Sequence, residues 1–386
     1  MIRWLLLLAF SSFTTFATPS IKFVFTYEGQ HFEKIIEIFS QHEGIVVERL
    51  WASQSDLKAQ LLEYIEKDNA PDVVLIPADH IGLHQLMRYS EIPEELQSAQ
   101  TIPSLWQSVL SDNKTFGIPV VQGNQLMLYY NKRFIDKPAT SWQKVYQQQQ
   151  TFLEQNPKTK FIAWNYQEMY WFSPFFNAFG GNAITNGKIS LNTQAMANAL
   201  TTYKQLADNQ LIQKDCDYDC ASSSFVNHQL AYIINGDWSF KEYYEKLGDD
   251  LGIAPLPAID QQTPLVSYFS THVLAFPNNS LTGPKKEALY KLINFMQQQV
   301  AQEQIWLTMK TLPVHQKVFE RITQSQSALV QQLIFSLEHS KLMPSDSAMS
   351  FAWSAMRKGF LRYQAGILNA EQSAELMQKI ATTKRP

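Results

Sequence analysis

Aromatic and acidic side chains near the middle of the chain are the residues best suited to bind a ligand. Residues 165–181 contain seven aromatic side chains and one carboxylate, Glu168. Tyr and Trp combine a flat apolar face with a polar edge, which suits stacking on an amphipathic ligand such as a sugar ring. Glu168, Tyr170 and Trp171 lie in a predicted turn, where side chains often face a cleft. These residues therefore form a candidate binding site.

The second half of this segment is predicted to be a core helix. Pro174 can sit in a first helical turn, and the phenylalanines after it recur at helical spacing. Gly180 and Gly181 then end the helix. Because a phenylalanine stripe of this kind is typical of packing, we expect Phe175 and Phe176 to be buried.

Further polar side chains follow predicted strands near the N-terminus. The apolar patterns of residues 21–25, 45–50 and 71–76 predict three strands separated by two helices, which is how an α/β domain with a parallel sheet begins. Ligands of such sheets bind beyond the carboxyl ends of the strands. The candidates at these positions are Tyr27, Glu28, Asp79 and His80.

The remaining aromatic candidates, Trp238 and Trp353, lie in later elements. Two extended segments are joined through Gln122, Gly123 and Asn124. Residues 230–238 predict a strand that ends in a glycine turn. Residues 350–364 predict a helix.

The two cysteines of the chain, Cys216 and Cys220, are four residues apart. In an oxidising compartment such a pair most simply forms a local disulfide. The aspartates between and before them would suit a calcium ion, but the loop lacks the glycine and the distal glutamate of a calcium loop. We therefore favour the disulfide over a metal site.

The N-terminus is predicted to be a secretory signal peptide. Arg3 precedes an apolar run over residues 4–10, and the small residues Thr15 and Ala17 form a small-x-small cleavage site, so we expect cleavage after Ala17. The run is too short to span a membrane, and no cysteine near the cleavage site could carry a lipid anchor. A net charge of −3 over 386 residues does not indicate a basic surface for binding nucleic acid. These features predict a soluble exported protein.

The chain resembles the extracellular solute-binding proteins of ABC importers, in the branch that contains the maltose-binding protein. Residues 71–79, 117–132 and 234–238 are similar to family-wide patterns. Residues 165–181 and 349–357 resemble the maltose-binding branch in particular. The order and spacing hold from about residue 20 to the C-terminus.

This resemblance implies an α/β fold of two lobes, each a mostly parallel sheet flanked by helices, joined by crossing hinge strands. Lobe 1 would comprise residues 18–122 and 271–320, and lobe 2 residues 123–270 and 321–386. A sugar would bind in the cleft between the lobes, which close by hinge bending. The implied protein is a periplasmic monomer without a cofactor, which delivers its ligand to an ABC permease in the inner membrane.

The resemblance also assigns roles to particular residues. The implied aromatic platforms, meaning ring faces on which a ligand stacks, are Tyr170, Trp238 and Trp353. The implied polar positions in or beside the cleft are Glu168, Asp79, Arg357, Asn124, where the maltose-binding branch has a carboxylate, and Glu28, near the family's charged pair.

Two departures bear on the ligand. Ile76 stands where the maltose-binding branch has a tryptophan, and His80 replaces a charged residue. The loss of one platform and one charge weakens the case for long maltodextrins, whereas a shorter or different saccharide stays compatible.

Two other functions stay open at this point. A binding protein for a polyamine or a chelated metal would have the same overall plan. A glycosidase would need two carboxylates flanking the bond, and Glu28, Asp79, Glu168 and Asp237 are available. Because the chain lacks nucleophile and zinc motifs, we favour binding without catalysis.

Overall fold

The computed structural model describes residues 19–25, 31–52, 57–67, 69–345 and 348–383. The predicted signal peptide and the candidate residue Glu28 lie outside this part of the chain.

Strands form two mixed sheets and two short hairpins. In the described residues they are β1 (Ser20–Phe25), β2 (Val46–Leu50), β3 (Val73–Pro77), β4 (Leu110–Ser111), β5 (Lys114–Thr115), β6 (Ile118–Gly123), β7 (Leu126–Asn131), β8 (Lys160–Ala163), β9 (Ile184–Thr185), β10 (Lys188–Ile189), β11 (Leu230–Gly236), β12 (Leu251–Ala254), β13 (Tyr268–Ala275), β14 (Leu312–Pro313) and β15 (Lys341–Leu342).

The larger sheet has the strand order β14-β6-β13-β3-β1-β2, with β15 beside β13. β1 is parallel to both β2 and β3, as the predicted strand–helix–strand pattern requires. β13 enters from the smaller sheet and is antiparallel to β3 and β6. The smaller sheet has the order β12-β7-β11-β8, in which only β8 and β11 are parallel.

Helices flank both sheets, which confirms the predicted α/β class. They are α1 (His31–Glu43), α2 (Leu57–Glu66), α3 (His84–Met87), α4 (Trp142–Gln155), α5 (Met169–Ala178), α6 (Gln194–Asp208), α7 (Tyr218–Val226), α8 (Phe240–Leu247), α9 (Lys286–Gln297), α10 (Gln299–Met309), α11 (Gln316–Thr323), α12 (Ala328–Glu338), α13 (Ala348–Gln364) and α14 (Ala370–Thr382). Among the described residues, none of these helices is long and apolar enough to cross a membrane.

Helix α5 begins earlier than the sequence predicts. We expected it to start near Pro174, but it starts at Met169 and contains that proline. A proline inside a helix leaves the carbonyl four residues earlier without its hydrogen bond, which here is the carbonyl of Tyr170. The Ser173 hydroxyl donates to that oxygen at 2.7 Å. The serine therefore satisfies the carbonyl, and Tyr170 lies in the first helical turn.

Aromatic side chains make up much of the core between α5, α6 and α13. Tyr166 stacks on Tyr203 with ring centroids 4.6 Å apart, and Phe360 packs against both. Phe175 and Phe176 are buried, as predicted. Most of the phenylalanine stripe is therefore structural, and the binding surface must come from its N-terminal end.

The chain crosses between the two sheets next to this core. It leaves the larger sheet at the end of β6 and enters the smaller sheet at β7, through Gly123 and Asn124. It returns between β12 and β13. Helix α13 lies against the 3₁₀ helix Ala78–Leu83, which follows β3 of the larger sheet. The predicted lobe boundaries stay a prediction.

The structure pairs Cys216 with Cys220 as a disulfide at the start of α7. Asp217, one of the aspartates considered for calcium, instead caps this helix by accepting from the amide of Cys220 at 2.9 Å. Within the described residues, no group of three or more His, Cys, Asp or Glu side chains is arranged to hold a metal ion.

Candidate functional site

Tyr170 lies between two other aromatic rings, each of which comes from a separate element. Its ring centroid lies 6.1 Å from that of Trp238 and 6.0 Å from that of Trp353. Tyr170 is in α5, Trp238 is in the 3₁₀ helix Asp237–Ser239, and Trp353 is in α13. We call these three residues the aromatic cluster. The structure thus brings together all the platforms that the sequence predicts.

Two buried aromatic side chains support the cluster. Trp171 meets Trp238 edge to face at 6.0 Å, and Tyr268 meets Trp353 in the same way at 6.3 Å. Such edge-to-face contacts stabilise aromatic pairs. The supporting rings are buried, whereas the three members of the cluster are only partly buried. The cluster therefore keeps some ring surface accessible.

Trp238 owes its position to the residue two places before it. Gly236 ends β11, and a Cβ atom at this position would come within 2.0 Å of the indole ring of Trp238. Only glycine lets the indole lie so close to the main chain. The Asn-Gly-Asp-Trp pattern thus has a steric basis in the structure.

The hydroxyl of Tyr170 links the cluster to the segment that crosses between the sheets. It donates to the main-chain carbonyl of Asn124 at 2.7 Å. Burial raises the pKa of Tyr170 well above its ordinary value, and the nearby charges of Asp237 and Asp79 raise it further. Tyr170 is therefore a neutral hydrogen-bond donor over the whole physiological pH range.

Asn124 uses its main chain in a second contact. Its φ angle is +65°, a left-handed conformation that asparagine tolerates better than most residues. Its amide donates to the carboxylate of Asp237 at 2.8 Å. The predicted site residue Asn124 is therefore held through its carbonyl by Tyr170 and through its amide by Asp237.

Asp237 is a buried carboxylate beneath the crossing segment. Burial raises its pKa to about 7, and hydrogen bonds from the amides of Asn124 and Trp238 oppose that rise. A Cβ atom at Gly123 would come within 1.8 Å of one carboxylate oxygen. The sequence suggested Asp237 only as a possible catalytic acid. Its role as an anchor was missed, although it stands inside a recognised motif.

The polar candidates Glu168 and Arg357 form an ion pair at the rim of the site. Their charged atoms are 3.6 Å apart, and 43% and 56% of the respective side chains are exposed. Pairs this exposed contribute little to stability because water screens them. Either side chain could therefore release the other and form a hydrogen bond with a hydroxyl group of a ligand instead.

Asp79 approaches the cluster from the larger sheet. It lies in the 3₁₀ helix after β3, and its charge acts on Tyr170. Its neighbour His80 lies near His272 of β13. Burial and the neighbouring imidazole of His80 lower the pKa of His272 to about 4, so this side chain is neutral at pH 7.

Comparison with known proteins identifies the family of the chain. Residues 34–332 match the model of the bacterial extracellular solute-binding proteins. The chain belongs to this family. The members are binding proteins and not enzymes, so the glycosidase alternative is set aside. Because the family consists of extracellular proteins, this solute-binding protein is secreted or periplasmic.

Individual relatives are similar over different shares of the chain. A maltodextrin-binding protein of Bacillus subtilis is 30% identical over 213 residues, which is 50% of this chain and 48% of that protein, so the match spans about half of the relative.

Two solved structures share the fold with TM-scores of 0.84. One is the maltose/maltodextrin-binding domain of Bdellovibrio bacteriovorus bound to maltotriose, which is 24% identical and aligned over 94% of this chain and 98% of its own. The other is the GacH receptor of Streptomyces glaucescens, solved unliganded and with acarbose, which is 17% identical over 96% and 100%. Both support the two-lobed architecture of this solute-binding protein.

Proposed function

We propose that this protein binds a saccharide, of the maltose or short-oligosaccharide class, in a cleft between its two lobes. The observation that carries the proposal is the convergence of Tyr170, Trp238 and Trp353 from three separate elements. Sugar rings present C–H groups on their faces, which stack on aromatic rings, and hydroxyls on their edges, which need polar partners. The relatives named above bind maltodextrin, maltotriose or acarbose, which are ligands of the same class.

Polar side chains around the cluster would bind the sugar hydroxyls. Glu168 and Arg357 lie on the side of α5 and α13, and Asp79 lies on the side of the larger sheet. Carboxylates accept hydrogen bonds from hydroxyls, and a guanidinium donates to them. In this proposal Asn124 contributes through its position in the crossing segment, and Glu28, which lies outside the described residues, stays a predicted polar contact.

The proposal divides the chain into lobe 1 (residues 18–122 and 271–320) and lobe 2 (residues 123–270 and 321–386). Asp79 belongs to the first lobe and the aromatic cluster to the second, so a ligand that touches both favours the closed form. A ligand shifts the open–closed equilibrium only by its difference in affinity for the two forms. The closed, loaded protein would then be recognised by an ABC permease and deliver the sugar for import.

Ile76 gives the larger sheet no stacking surface at the position where the maltose-binding branch has a tryptophan. Ile76, which stands where the maltose-binding branch has a tryptophan, is fully buried in the core of that sheet. It therefore cannot contact a ligand. This supports a ligand that relies on the platforms of lobe 2.

A thermal-shift screen of residues 18–386 tests the proposal. Ligands that bind only the folded state raise the melting temperature by mass action. We expect a shift with maltose or a short maltodextrin, and chromatography should show that the sugar stays intact. A shift with polyamines or chelated metals alone would overturn the proposed ligand class and leave the fold unaffected.

A further inference from the structure

We propose that Trp51 is a further aromatic platform, which binds a distal unit of an oligosaccharide; this inference rests on the proposed function. Trp51 follows directly after β2, and 68% of it is exposed. A tryptophan exposed to this degree leaves a large apolar ring in water, which is the state that a stacking ligand relieves.

The strand order places Trp51 on the edge of the larger sheet where ligands bind. β1 is parallel to both β2 and β3, so the three strands end at the same edge. Trp51 follows β2, and Asp79 follows β3. β1 lies between them, and neighbouring strands are about 4.8 Å apart. The register also makes Leu50 level with Val74, so Asp79 lies further along the strand direction than Trp51. The two residues are therefore at least roughly 10 Å apart. This separation is wider than one pyranose ring, so a ligand that reaches both must have several units.

The ring of Trp51 is held in place from one side. The Arg49 guanidinium lies 3.9 Å from the centroid of the Trp51 ring and 4.2 Å from that of Phe25. Arg49 also pairs with Glu33 at the start of α1. A guanidinium stacked on one face of an indole fixes its orientation by a cation–π interaction. The other face is left to a ligand.

The main chain of Trp51 is fixed as well. The hydroxyl of Tyr64, in α2, donates to the carbonyl oxygen of Trp51 at 2.9 Å. The side chain therefore projects from an anchored residue and loses little freedom when a sugar stacks on it, which favours binding. Trp51 would supply on lobe 1 the stacking surface that the buried Ile76 does not.

The test compares ligands of increasing length in the wild type and in Trp51→Ala. Isothermal titration calorimetry with maltose, maltotriose and maltohexaose gives the three affinities. We expect the substitution to leave maltose binding unchanged and to weaken the longest ligand about tenfold, as the loss of one aromatic stacking contact predicts. Trp51→Phe, which keeps a ring, should lose less.

Trp306→Ala is the matched control. Trp306 in α10 also has a cation near its ring, because the Lys310 ammonium lies 5.4 Å from the ring centroid. Its ring packs against the core beside the smaller sheet and does not follow a strand end of the larger sheet. This variant should bind every ligand like the wild type.

Four other outcomes decide against the inference. An equal loss at all ligand lengths, or no loss at any length, would overturn the role of Trp51 and leave the proposed function standing. A wild-type protein that binds none of the glycans would overturn both. A stability loss in Trp51→Ala without a change in affinity would mean that Trp51 only packs on Arg49.

Discussion

The Tyr170 hydroxyl and the Asn124 carbonyl are hydrogen-bonded at 2.7 Å, and this bond joins the aromatic cluster to the segment that crosses between the sheets. On its other side, the amide of Asn124 is bound by Asp237, the residue before Trp238. Two of the three cluster residues are therefore tied to one residue of the crossing segment. A movement of either ring would therefore act on the main chain of the crossing segment.

Tyr170→Phe tests this link, because it keeps the ring and removes the hydroxyl. We expect a loss of about 1 kcal/mol in the free energy of unfolding, since the partly buried Asn124 carbonyl loses its hydrogen-bond partner. Chemical denaturation with and without sugar measures it. Tyr244→Phe, at an exposed tyrosine of α8, should cost nothing. Equal stability of both variants would show that the bond does not matter.

The platform roles of Trp238 and Trp353 are tested by alanine substitutions. Each variant should bind sugar about 1–3 kcal/mol more weakly, through lost stacking and lost apolar burial. Titration calorimetry with the best ligand of the thermal-shift screen gives the affinities, and circular dichroism checks that the fold is kept. Unchanged affinity in both variants would contradict the site assignment while leaving the fold intact.

Asp237 makes stability depend on pH. Its pKa is about 7 in the folded protein and 3.8 ordinarily, so the folded state holds a proton that the unfolded chain releases between these values. Its contribution to stability is therefore largest below pH 4 and falls as the pH rises to 7, by as much as about 4 kcal/mol. Asp237→Asn removes this dependence.

Melting temperatures of the wild type and of Asp237→Asn between pH 5 and pH 8 measure the effect. His272 acts in the opposite direction, because a pKa of about 4 means that its buried neutral form loses stability as the pH falls below 6.5. The difference between the two proteins isolates Asp237. The melting temperature of Asp237→Asn minus that of the wild type should increase with pH. A difference that stays constant would contradict the assigned pKa of Asp237.

Gly123→Ala should be strongly destabilising. The new methyl group would lie 1.8 Å from the Asp237 carboxylate, at a φ of +151° that alanine avoids. We expect a loss of about 2–4 kcal/mol. Gly180→Ala is the control, since Gly180 also has a positive φ but no neighbour within 4 Å of an added Cβ. If both variants lose the same amount, backbone strain alone explains the effect.

The sequence predicted the elements well where a local pattern determines them. The buried run of β3 and the alternation of β1 were read correctly, and so was the junction between β6 and β7. The start of α5 was predicted wrongly, because the Ser173 hydroxyl replaces a lost main-chain hydrogen bond. Propensity rules for proline do not contain such a compensation.

The candidate site could be predicted only in part. The resemblance supplied Tyr170, Trp238 and Trp353 as residue types at matching positions, but their distances depend on how three elements pack. The anchoring role of Asp237 was not visible, because it depends on the main chain of Asn124, which is over a hundred residues away in sequence. Contacts from a side chain to a distant main-chain amide leave no pattern in the residue types.

The strand order of the larger sheet determines when this sheet can be completed during synthesis. β3 and β6 both need β13 as a neighbour, and β13 ends at residue 275. Until that point β3 has one unpaired edge and β6 has two, because β14, its other neighbour, follows β13 in the sequence. Unpaired edges are prone to wrong association. A chain truncated before β13 should therefore aggregate, whereas the complete chain acquires its native sheet only late. The larger sheet therefore forms only after most of the chain has been synthesised, which is compatible with export before folding is complete.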